Sequence, residues 1–227
     1  MTKSTGDSVR AFYDEFAPEY ERSRTSTAYS RLVANLDRGF IFASVLDGTA
    51  LELGPGTGRV TERLLERGLD VTAVDASPGM LEQLAARLPG ITRHVLPANA
   101  LDQLPGYGAF DNAVACRVLP HVEDWEAALA LLAGAVRPGG RVIFDLWSAR
   151  GYVALGRRLG LRRERVFTRF VAPAAMLRAI ERAGLTIVRR RGVGFGPLPP
   201  YWLEALGATR LGRLAHIQLF CCEVAGA

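Results

Sequence analysis

Short apolar runs alternate with amphipathic stretches along most of the chain after residue 47. The apolar runs have the length and composition of buried strands. The amphipathic stretches repeat their apolar residues three or four positions apart, as Val60 and Leu64 do, and this spacing predicts helices. Gly68 supplies a stop signal for the first of these helices. The regular alternation predicts an α/β fold with a doubly wound, mostly parallel sheet.

The pattern places each element along the chain. The first strand ends at Leu53, and later strands are predicted at 70–74, 91–96, 110–116, 141–146, 185–190 and 215–224. Helices are predicted from Thr57 to about Arg67, from Ser77 over Leu88, from Asp124 to Val136 and from Pro173 to Ala183. The sequence Arg137-Pro138-Gly139-Gly140 is predicted to be a turn that ends the third helix.

Three segments fall outside this regular core. Residues 7–46 carry aromatic and apolar residues at helical spacings, so we expect a helical N-terminal cap over residues 1–46. Residues 47–227 then form the sheet domain, and the whole chain is one structural domain. Two insertions interrupt the sheet domain, an arginine-rich one at 147–172 and a Gly- and Pro-rich one at 192–212.

The composition limits the classes of function. The chain has 227 residues, with 28 Lys and Arg against 23 Asp and Glu, and many arginines lie in its last third. These arginines could attract nucleic acid, an anionic lipid surface or an anionic substrate, or simply form a solvated surface. The sequence lacks the apolar stretch of a signal peptide or membrane span, so we expect a cytoplasmic protein. The three cysteines form neither a disulfide framework nor a metal-binding pattern.

The run LELGPGTG at 51–58 carries the strongest candidate chemistry. Gly54 and Gly56 follow a strand directly, and glycine allows the backbone both to turn sharply and to approach a ligand closely. Asp75 ends the next strand, which places its carboxylate beside this turn. An acidic residue there can accept hydrogen bonds from the two hydroxyl groups of a ribose.

Two residues distinguish between possible ligands of this turn. A dinucleotide-binding fingerprint needs a third glycine where this chain has Arg59. Glu52 precedes the turn, and its charge would repel a pyrophosphate but attract a cationic ligand. An ordinary tight turn in a nucleotide-binding α/β protein is the alternative interpretation.

Six segments resemble, in order, those of the class I S-adenosylmethionine-dependent methyltransferases. The Glu-x-Gly-x-Gly-x-Gly run at 52–58 resembles the first motif, and the other matches are FYDEFAPEYE at 12–21, VDASPGML at 74–81, ANALDQLP at 98–105, FDNAVACRVLPHV at 110–122 and LAGAVRPGGRVIF at 132–144. The order resembles the small-molecule branch that includes ubiquinone and menaquinone biosynthesis methyltransferases. This resemblance implies a seven-stranded Rossmann-like sheet whose last strand is antiparallel and lies between strands five and six.

The resemblance also implies how S-adenosyl-L-methionine, and its product S-adenosyl-L-homocysteine, would be bound. Glu52 would face the ammonium side, and Asp75 would hold the ribose. Asn99 stands where the family usually has an aspartate that binds the adenine amino group, and its side-chain carbonyl can do the same. The implied cofactor-binding residues are Glu52, Gly54, Pro55, Gly56, Asp75, Ala76, Met80, Asn99, Ala100, Cys116 and Tyr20.

Each of these residues has a specific expected contact. Ala76 and Met80 would press on the adenine faces, the amide of Ala100 would bind a ring nitrogen, and the carbonyl of Cys116 would meet the amino group. A plain core position remains the alternative for Met80. Capping of nearby backbone donors remains the alternative for Glu52.

Methyl transfer is an in-line displacement, so the protein chiefly positions the nucleophile. His121 is the best candidate for a base, and Tyr13 is predicted to act beside it. A pocket-lining histidine without proton chemistry is the alternative. Tyr20, Asp145 and Trp147 could complete the pocket, whereas the strand residues His94 and His216 are expected to be structural.

Two further motifs are superficial matches. Cys116 occupies the place of a cytosine-5 methyltransferase nucleophile, but Ala115-Cys116-Arg117 lacks the Pro-Cys pair. Leu198-Pro199-Pro200-Tyr201 is similar to a motif of nucleic-acid amino-methyltransferases, yet it follows the wrong strand.

The sequence therefore predicts a methyltransferase that acts on an oxygen or nitrogen atom of a small molecule. The acceptor would be anionic or carry an apolar ring, and no nucleic acid, membrane span or metal ion is expected. We expect a monomer or a homodimer. The alternatives are C-methylation of a quinone, polyketide or lipid-like precursor, and a non-catalytic binding protein that keeps the fold.

Overall fold

The computed structural model describes residues 4–24, 27–196 and 201–226. This part of the chain contains seven strands and seven α-helices. The helices are α1 (Thr5–Arg24), α2 (Ala28–Phe42), α3 (Arg59–Glu66), α4 (Pro78–Arg87), α5 (Trp125–Gly134), α6 (Tyr152–Arg158) and α7 (Pro173–Arg182). The strands are β1 (Thr49–Leu53), β2 (Asp70–Asp75), β3 (Thr92–Val95), β4 (Phe110–Ala115), β5 (Val136–Trp147), β6 (Leu185–Val193) and β7 (Ile217–Val224).

The strands form one sheet in the order β3-β2-β1-β4-β5-β7-β6. The first five are parallel, and β7 is antiparallel to both of its neighbours. The predicted doubly wound sheet, with its last strand between strands five and six, is confirmed. β5 begins at Val136 and so runs over the predicted turn at 137–140, but its ladder with β4 passes from Val136 directly to Arg141, and Gly139 in between has φ +77°. The Pro-Gly-Gly segment therefore interrupts the pairing between β4 and β5.

Two apolar cores cover the two faces of the sheet. Leu51 and Leu53 of β1 pack on the face with Leu129 of α5, and Ala50 packs on the opposite face with Leu64 of α3 and Leu84 of α4. Burial on both faces is what a parallel sheet with helices on each side requires. The alternation along β1 places Glu52 on the same face as Ala50.

The N-terminal helices dock on the face that carries α3 and α4. Asp14 of α1 accepts hydrogen bonds from the hydroxyl of Ser77, at 2.6 Å, and from the amide of Gly79, at 3.1 Å. Ser77 is itself the N-cap of α4 and accepts from the amide of Met80. A carboxylate at a helix N-terminus is stabilised by the unpaired amides and the helix dipole. Asp14 therefore ties α1 to the start of α4.

Three contacts along its length hold α2 in place. At its start, the hydroxyl of Tyr29 donates to Glu204, which also accepts from the amides of Gly194 and Phe195. At its end, Arg67 donates to the carbonyl oxygen of Phe42. The middle of α2 is joined to the segment after β4 by an ion pair between Asp37 and Arg117. The predicted helical cap is thus present as two helices, while the domain boundaries at 46 and 47 stay a prediction.

The insertions contain short helices. The first insertion includes α6, and the second includes 3₁₀ turns at Tyr201–Ala208 and Arg210–Leu214. Three residues of the Leu198-Pro199-Pro200-Tyr201 motif lie outside the described residues. No helix in the described ranges is long and apolar enough to cross a membrane.

Candidate functional site

The glycine turn after β1 has the close packing that the sequence predicts. Gly54 has φ +68°, and a Cβ there would lie 2.2 Å from Cγ2 of Val118. Gly58 has φ +87° and caps α3, and a Cβ there would lie 2.6 Å from Cδ1 of Leu84. Both positions therefore exclude side chains on conformational and steric grounds. The predicted start of α3 at Thr57 is corrected to Arg59, because the left-handed Gly58 delays the helix.

Polar residues gather on one face at the carboxyl ends of the four central parallel strands. Three carboxylates each lie two residues after a core residue of the face that carries α2, α3 and α4: Glu52 after Ala50, Asp75 after Ala73 and Asp145 after Ile143. Side chains two residues apart in a strand point to the same face. Cys116 follows β4 with the same parity and packs against that core. Ligands of open α/β sheets bind outside these strand ends. The alternation of side chains thus assembles a polar site under α2.

A small, partly open cleft of about 70 Å³ lies between this edge of the sheet and the N-terminal helices. Five predicted cofactor-binding residues line it: Tyr20, Glu52, Gly54, Pro55 and Cys116. A Cβ on Gly56 would lie 3.5 Å from the ring of Tyr20, so α1 covers the glycine turn. The cleft is also lined by residues that the sequence analysis did not select: Ala34, Asp37, Arg38, Thr57, Arg59, Val60 and Arg117.

Glu52 is buried without full pairing. It is 2% exposed, and its Oε2 atom has no hydrogen-bond partner among the described residues. Burial raises the pKa of its carboxyl to about 7, and the charge of Asp75 acts in the same direction. A bound cation would favour the ionised form by direct attraction. Glu52 therefore fits a cationic ligand, as its position before the glycine turn predicts.

This buried carboxyl predicts a pH-dependent stability. Below pH 4.5 it is protonated in both the folded and the unfolded chain; between 4.5 and about 7 only the folded chain keeps the proton. The free energy of unfolding contributed by Glu52 therefore falls as pH rises through this window. The change in pKa from 4.5 to about 7 corresponds to about 3 kcal/mol, at about 1.36 kcal/mol per pH unit.

We compare the stability of Glu52→Gln with that of the wild type without added cofactor. We expect the variant's advantage to grow by roughly 2 to 3 kcal/mol as the pH rises from 5 to 8. Urea denaturation at a series of pH values measures this difference. Glu66→Gln is the matched control, because Glu66 pairs with Arg63 on the surface. Parallel curves for the wild type and Glu52→Gln would contradict the expected titration.

Asp75 is held in a fixed orientation at the end of β2. Its Oδ1 atom accepts from the amide of Ser77 at 3.0 Å. Burial raises the pKa of the Asp75 carboxyl to about 6, partly offset by hydrogen bonds from the amides of Ser77 and Gly56. The group is therefore mostly ionised at neutral pH. An ionised, oriented carboxylate beside the glycine turn has the chemistry that two ribose hydroxyls require.

The predicted adenine contacts are placed around the end of β2 and the turn after β3. Met80 is 2% exposed at the start of α4, and Ala76 is half-buried beside it. Asn99 is exposed in a 3₁₀ turn, Ala98–Gln103. The amide of Ala100 donates to the carbonyl oxygen of Pro97 at 3.0 Å, and its contact with an adenine nitrogen stays a prediction. The 3₁₀ geometry uses that donor within the turn.

His121 lies in a short turn, Leu119–His121, and its ring contacts other aromatic rings. Its Nδ1 atom is 2.9 Å from the carbonyl oxygen of Phe167. A carbonyl oxygen only accepts, so Nδ1 carries the proton of the neutral ring and Nε2 carries the lone pair. Tyr13 packs edge-on against this ring, with the ring centres 5.7 Å apart, and Trp147 does so at 5.5 Å. The two predicted catalytic residues are thus neighbours.

The aromatic contacts continue from Trp147 away from His121. His216 lies 4.8 Å from Trp147 between ring centres and also contacts Phe170 and Tyr152. Burial lowers the pKa of His216 to about 3, so its ring is neutral. Trp147 Nε1 and His216 Nδ1 are buried with no hydrogen-bond partner among the described residues. We call the rings of Tyr13, His121, Trp147, His216, Phe170 and Tyr152 the aromatic shell.

Arginines border the far end of the aromatic shell. Arg157 stands over the ring of Phe170, at 5.7 Å, and Arg162 over that of Tyr152, at 6.0 Å. Each pair has the geometry of a cation–π contact. The ranges that the structure describes gather no group of three or more His, Cys, Asp or Glu side chains suited to a metal ion.

Two of the unpredicted charged residues of the cleft, Asp37 and Arg117, are buried. A signal for Asp37 was present, because this charged residue lies four positions after Val33 and three before Phe40, on the apolar face of α2. No comparable signal marks Arg117. It is the only described non-glycine residue with positive φ, at 65°, and this conformation depends on the contacts around it.

Comparisons with known proteins agree with this arrangement. A family model described as a methyltransferase domain matches residues 51–142. Over 114 residues the chain is 40% identical to an uncharacterized methyltransferase of Mycobacterium tuberculosis. This match covers 50% of the present chain and 43% of the mycobacterial protein. Over 169 residues it is 28% identical to a ubiquinone biosynthesis O-methyltransferase of Chromobacterium violaceum, covering 69% and 72% of the two chains.

The fold is shared with solved structures. The N-methyltransferase NodS of Bradyrhizobium japonicum, in complex with S-adenosyl-L-homocysteine, superposes with a TM-score of 0.70 at 17% identity, over 97% of this chain and 100% of that one. The match to the mycobacterial relative spans less than half of that protein's length.

Proposed function

We propose that the chain is a class I S-adenosylmethionine-dependent methyltransferase, as the family model over residues 51–142 and the ubiquinone biosynthesis relative support, and that it transfers a methyl group to an oxygen or nitrogen atom of a small metabolite. The observation that carries this proposal is the placement of two carboxylates around the glycine turn: Glu52 lines the cleft with Gly54, and Asp75 accepts from the amide of Gly56 on the turn itself. The turn admits the ligand closely, Asp75 suits a ribose, and Glu52 suits a cation. An adenosyl sulfonium combines these features in one molecule.

The proposed cofactor-binding residues divide the binding between them; Glu52 and Tyr20 line the cleft, whereas Asp75, Ala76, Met80 and Asn99 lie outside its lining. Asp75 holds the ribose hydroxyls and Asn99 accepts from the adenine amino group, while Ala76 and Met80 lie along the ring. Glu52 faces the positively charged end of the ligand, and Tyr20 closes the turn from α1. When bound, S-adenosylmethionine supplies an electrophilic methyl group on a sulfonium. The protein then has to position an acceptor in line with it and keep water away.

His121 is the proposed base. The carbonyl oxygen of Phe167 fixes the ring so that Nε2 carries the lone pair. This nitrogen can take the proton that a hydroxyl or protonated amine loses on methylation. Tyr13, edge-on to the same ring, orients the acceptor and restricts the motion of His121.

The aromatic shell supports an acceptor with a flat, apolar body. Rings prefer to pack against rings, and Tyr13, His121 and Trp147 offer three neighbouring rings at half-buried positions. Arg157 and Arg162 would favour an acidic substituent at the far end. A phenolic acid or a related aromatic anion meets both requirements.

Isothermal titration calorimetry with S-adenosylhomocysteine tests the proposal. We expect saturable binding with a dissociation constant of about 1 to 100 µM, the range in which enzymes commonly bind their substrates. Turnover is then sought with S-adenosylmethionine and a panel of catechols, phenolic acids, phenols and amines, by release of the demethylated product. No binding up to millimolar concentration would refute the proposal. Binding without turnover of any acceptor would favour the non-catalytic alternative.

A further inference from the structure

A buried ion pair joins α2 to the segment after β4. Arg117 donates through Nη2 to Oδ2 of Asp37, and the two side chains are 10% and 5% exposed. The amide of Arg117 donates to Oδ1 of Asp145, beneath the pair, and its Nε lies 4.0 Å from Oδ2 of Asp145. Three elements of the fold, α2, the β4 end and β5, therefore meet at one guanidinium.

The pair uses only part of its bonding capacity. Oδ1 of Asp37 and Nε of Arg117 are buried with no hydrogen-bond partner among the described residues. Leaving buried charged groups without partners is costly, and burying an ion pair gives little net stability by itself. The Tyr29 and Arg67 contacts already attach both ends of α2. A tether alone therefore does not account for this pair.

Both residues line the same cleft as Glu52 and the glycine turn. The cleft thus contains two buried carboxylates, each with one unpartnered oxygen, Asp37 Oδ1 and Glu52 Oε2. It also contains the guanidinium of Arg117, and those of Arg38 and Arg59 at partly exposed positions. Separated acceptors and donors of this kind match a zwitterion, with an ammonium on one side and a carboxylate on the other.

We propose that the Asp37–Arg117 pair recognises the α-amino-acid end of the adenosyl cofactor, with Oδ1 of Asp37 accepting from the ammonium group. This proposal rests on the function proposed above and adds a residue from the N-terminal helices to the binding site. Asp37 shares the ammonium with Glu52, and Arg117 holds Asp37 in place and adds a positive charge for the carboxylate. The amino-acid end is therefore recognised by α2 as well as by the sheet.

Two ligands separate this role from a structural one. S-Adenosylhomocysteine has the amino-acid end, whereas 5′-methylthioadenosine keeps the adenosine and the sulfur but lacks that end. Asp37→Asn keeps the shape and removes the charge. We expect it to weaken binding of S-adenosylhomocysteine about 10- to 100-fold, as for loss of a charge-assisted hydrogen bond, and that of 5′-methylthioadenosine less than about 3-fold.

Asp111→Asn is the matched control. Asp111 also pairs with an arginine, Arg137, but lies at the start of β4, at the opposite edge of the sheet from the cleft. We expect this variant to leave the ratio of the two affinities unchanged. Both affinities are measured by calorimetry, so the test does not depend on an acceptor or on turnover.

The outcomes are distinct. Equal weakening of both ligands by Asp37→Asn, or weakening of neither, would overturn the role of Asp37 while leaving cofactor binding intact. Failure of the wild type to bind either ligand would instead refute the proposed function, and this inference with it. If Asp37→Asn does not fold, the wild type is titrated with an S-adenosylhomocysteine analogue that lacks the amino group. Equal affinity for this analogue and the parent compound would overturn recognition of the ammonium.

Discussion

Asp75→Ala is expected to weaken binding of S-adenosylhomocysteine at least about 100-fold, because each hydrogen bond from a ribose hydroxyl to a charged carboxylate is worth about 1.5 to 3 kcal/mol. Asp75 is fixed by the amide of Ser77, so the two hydroxyls meet an oriented acceptor that needs no rearrangement. The substitution also removes the carboxylate that raises the pKa of Glu52. That second effect favours ionised Glu52, and it is too small to compensate for the lost ribose contact.

Calorimetry at neutral pH measures the loss. Asp70→Ala is the control, since Asp70 begins the same strand but is exposed at the opposite edge of the sheet. We expect its affinity to stay within about 3-fold of the wild type, in line with an exposed substitution far from the ligand. An Asp75→Ala protein that is folded and binds as tightly as the wild type would remove the ribose role and, with it, the assignment of the cleft.

His121→Asn is expected to lower kcat about 100- to 10,000-fold with an acceptor that loses a proton on methylation, the range typical of general base catalysis. Affinity for S-adenosylhomocysteine should change by less than about 3-fold, because the proposed role concerns only the acceptor. The ring must be neutral to act as a base, so kcat/KM of the wild type should fall at acidic pH. The variant should lose this acidic limb of the profile.

The measurement is a steady-state assay with the best phenol or amine from the acceptor panel, repeated across pH. His94→Asn, a substitution of the half-buried histidine in β3, is the control and should leave kcat unchanged. Two results count against a base. An unchanged kcat would leave His121 as a pocket-lining residue, and a parallel loss of cofactor affinity would give it a structural or cofactor-binding role.

Most of the fold follows from local patterns. The apolar runs, the Ser77 and Asp124 caps and the stop at Gly184 place the elements within a few residues of their observed bounds. These signals act over one or two turns of chain, which is why they can be read from the sequence. The Pro-Gly-Gly segment after α5 interrupts the ladder between β4 and β5 where the sequence predicts a turn; what differs is the start of β5, which lies before this segment at Val136 because that residue pairs with Phe110.

The residues that the sheet contributes to the site were also predictable from the sequence. Glu52, Asp75 and Cys116 stand at strand ends, and the two-residue period of a strand assigns them to one face. The contact of the Ala100 amide with adenine also stays a prediction, and in the structure this amide donates within a 3₁₀ turn. The roles of Met80 and Asn99 stay predictions, because burial and exposure alone do not identify an adenine contact.

By itself, the sequence determined the element order, the glycine turn and the carboxylates that face it, because periodicity and turn chemistry are properties of neighbouring residues. Only the tertiary structure decided what covers them. The Asp37–Arg117 pair joins residues 80 positions apart, and the left-handed backbone at Arg117 exists because Asp37 and Asp145 fix both its side chain and its amide. Such a contact has no period and no local motif, since its energy arises from the packing of α2 on the finished sheet.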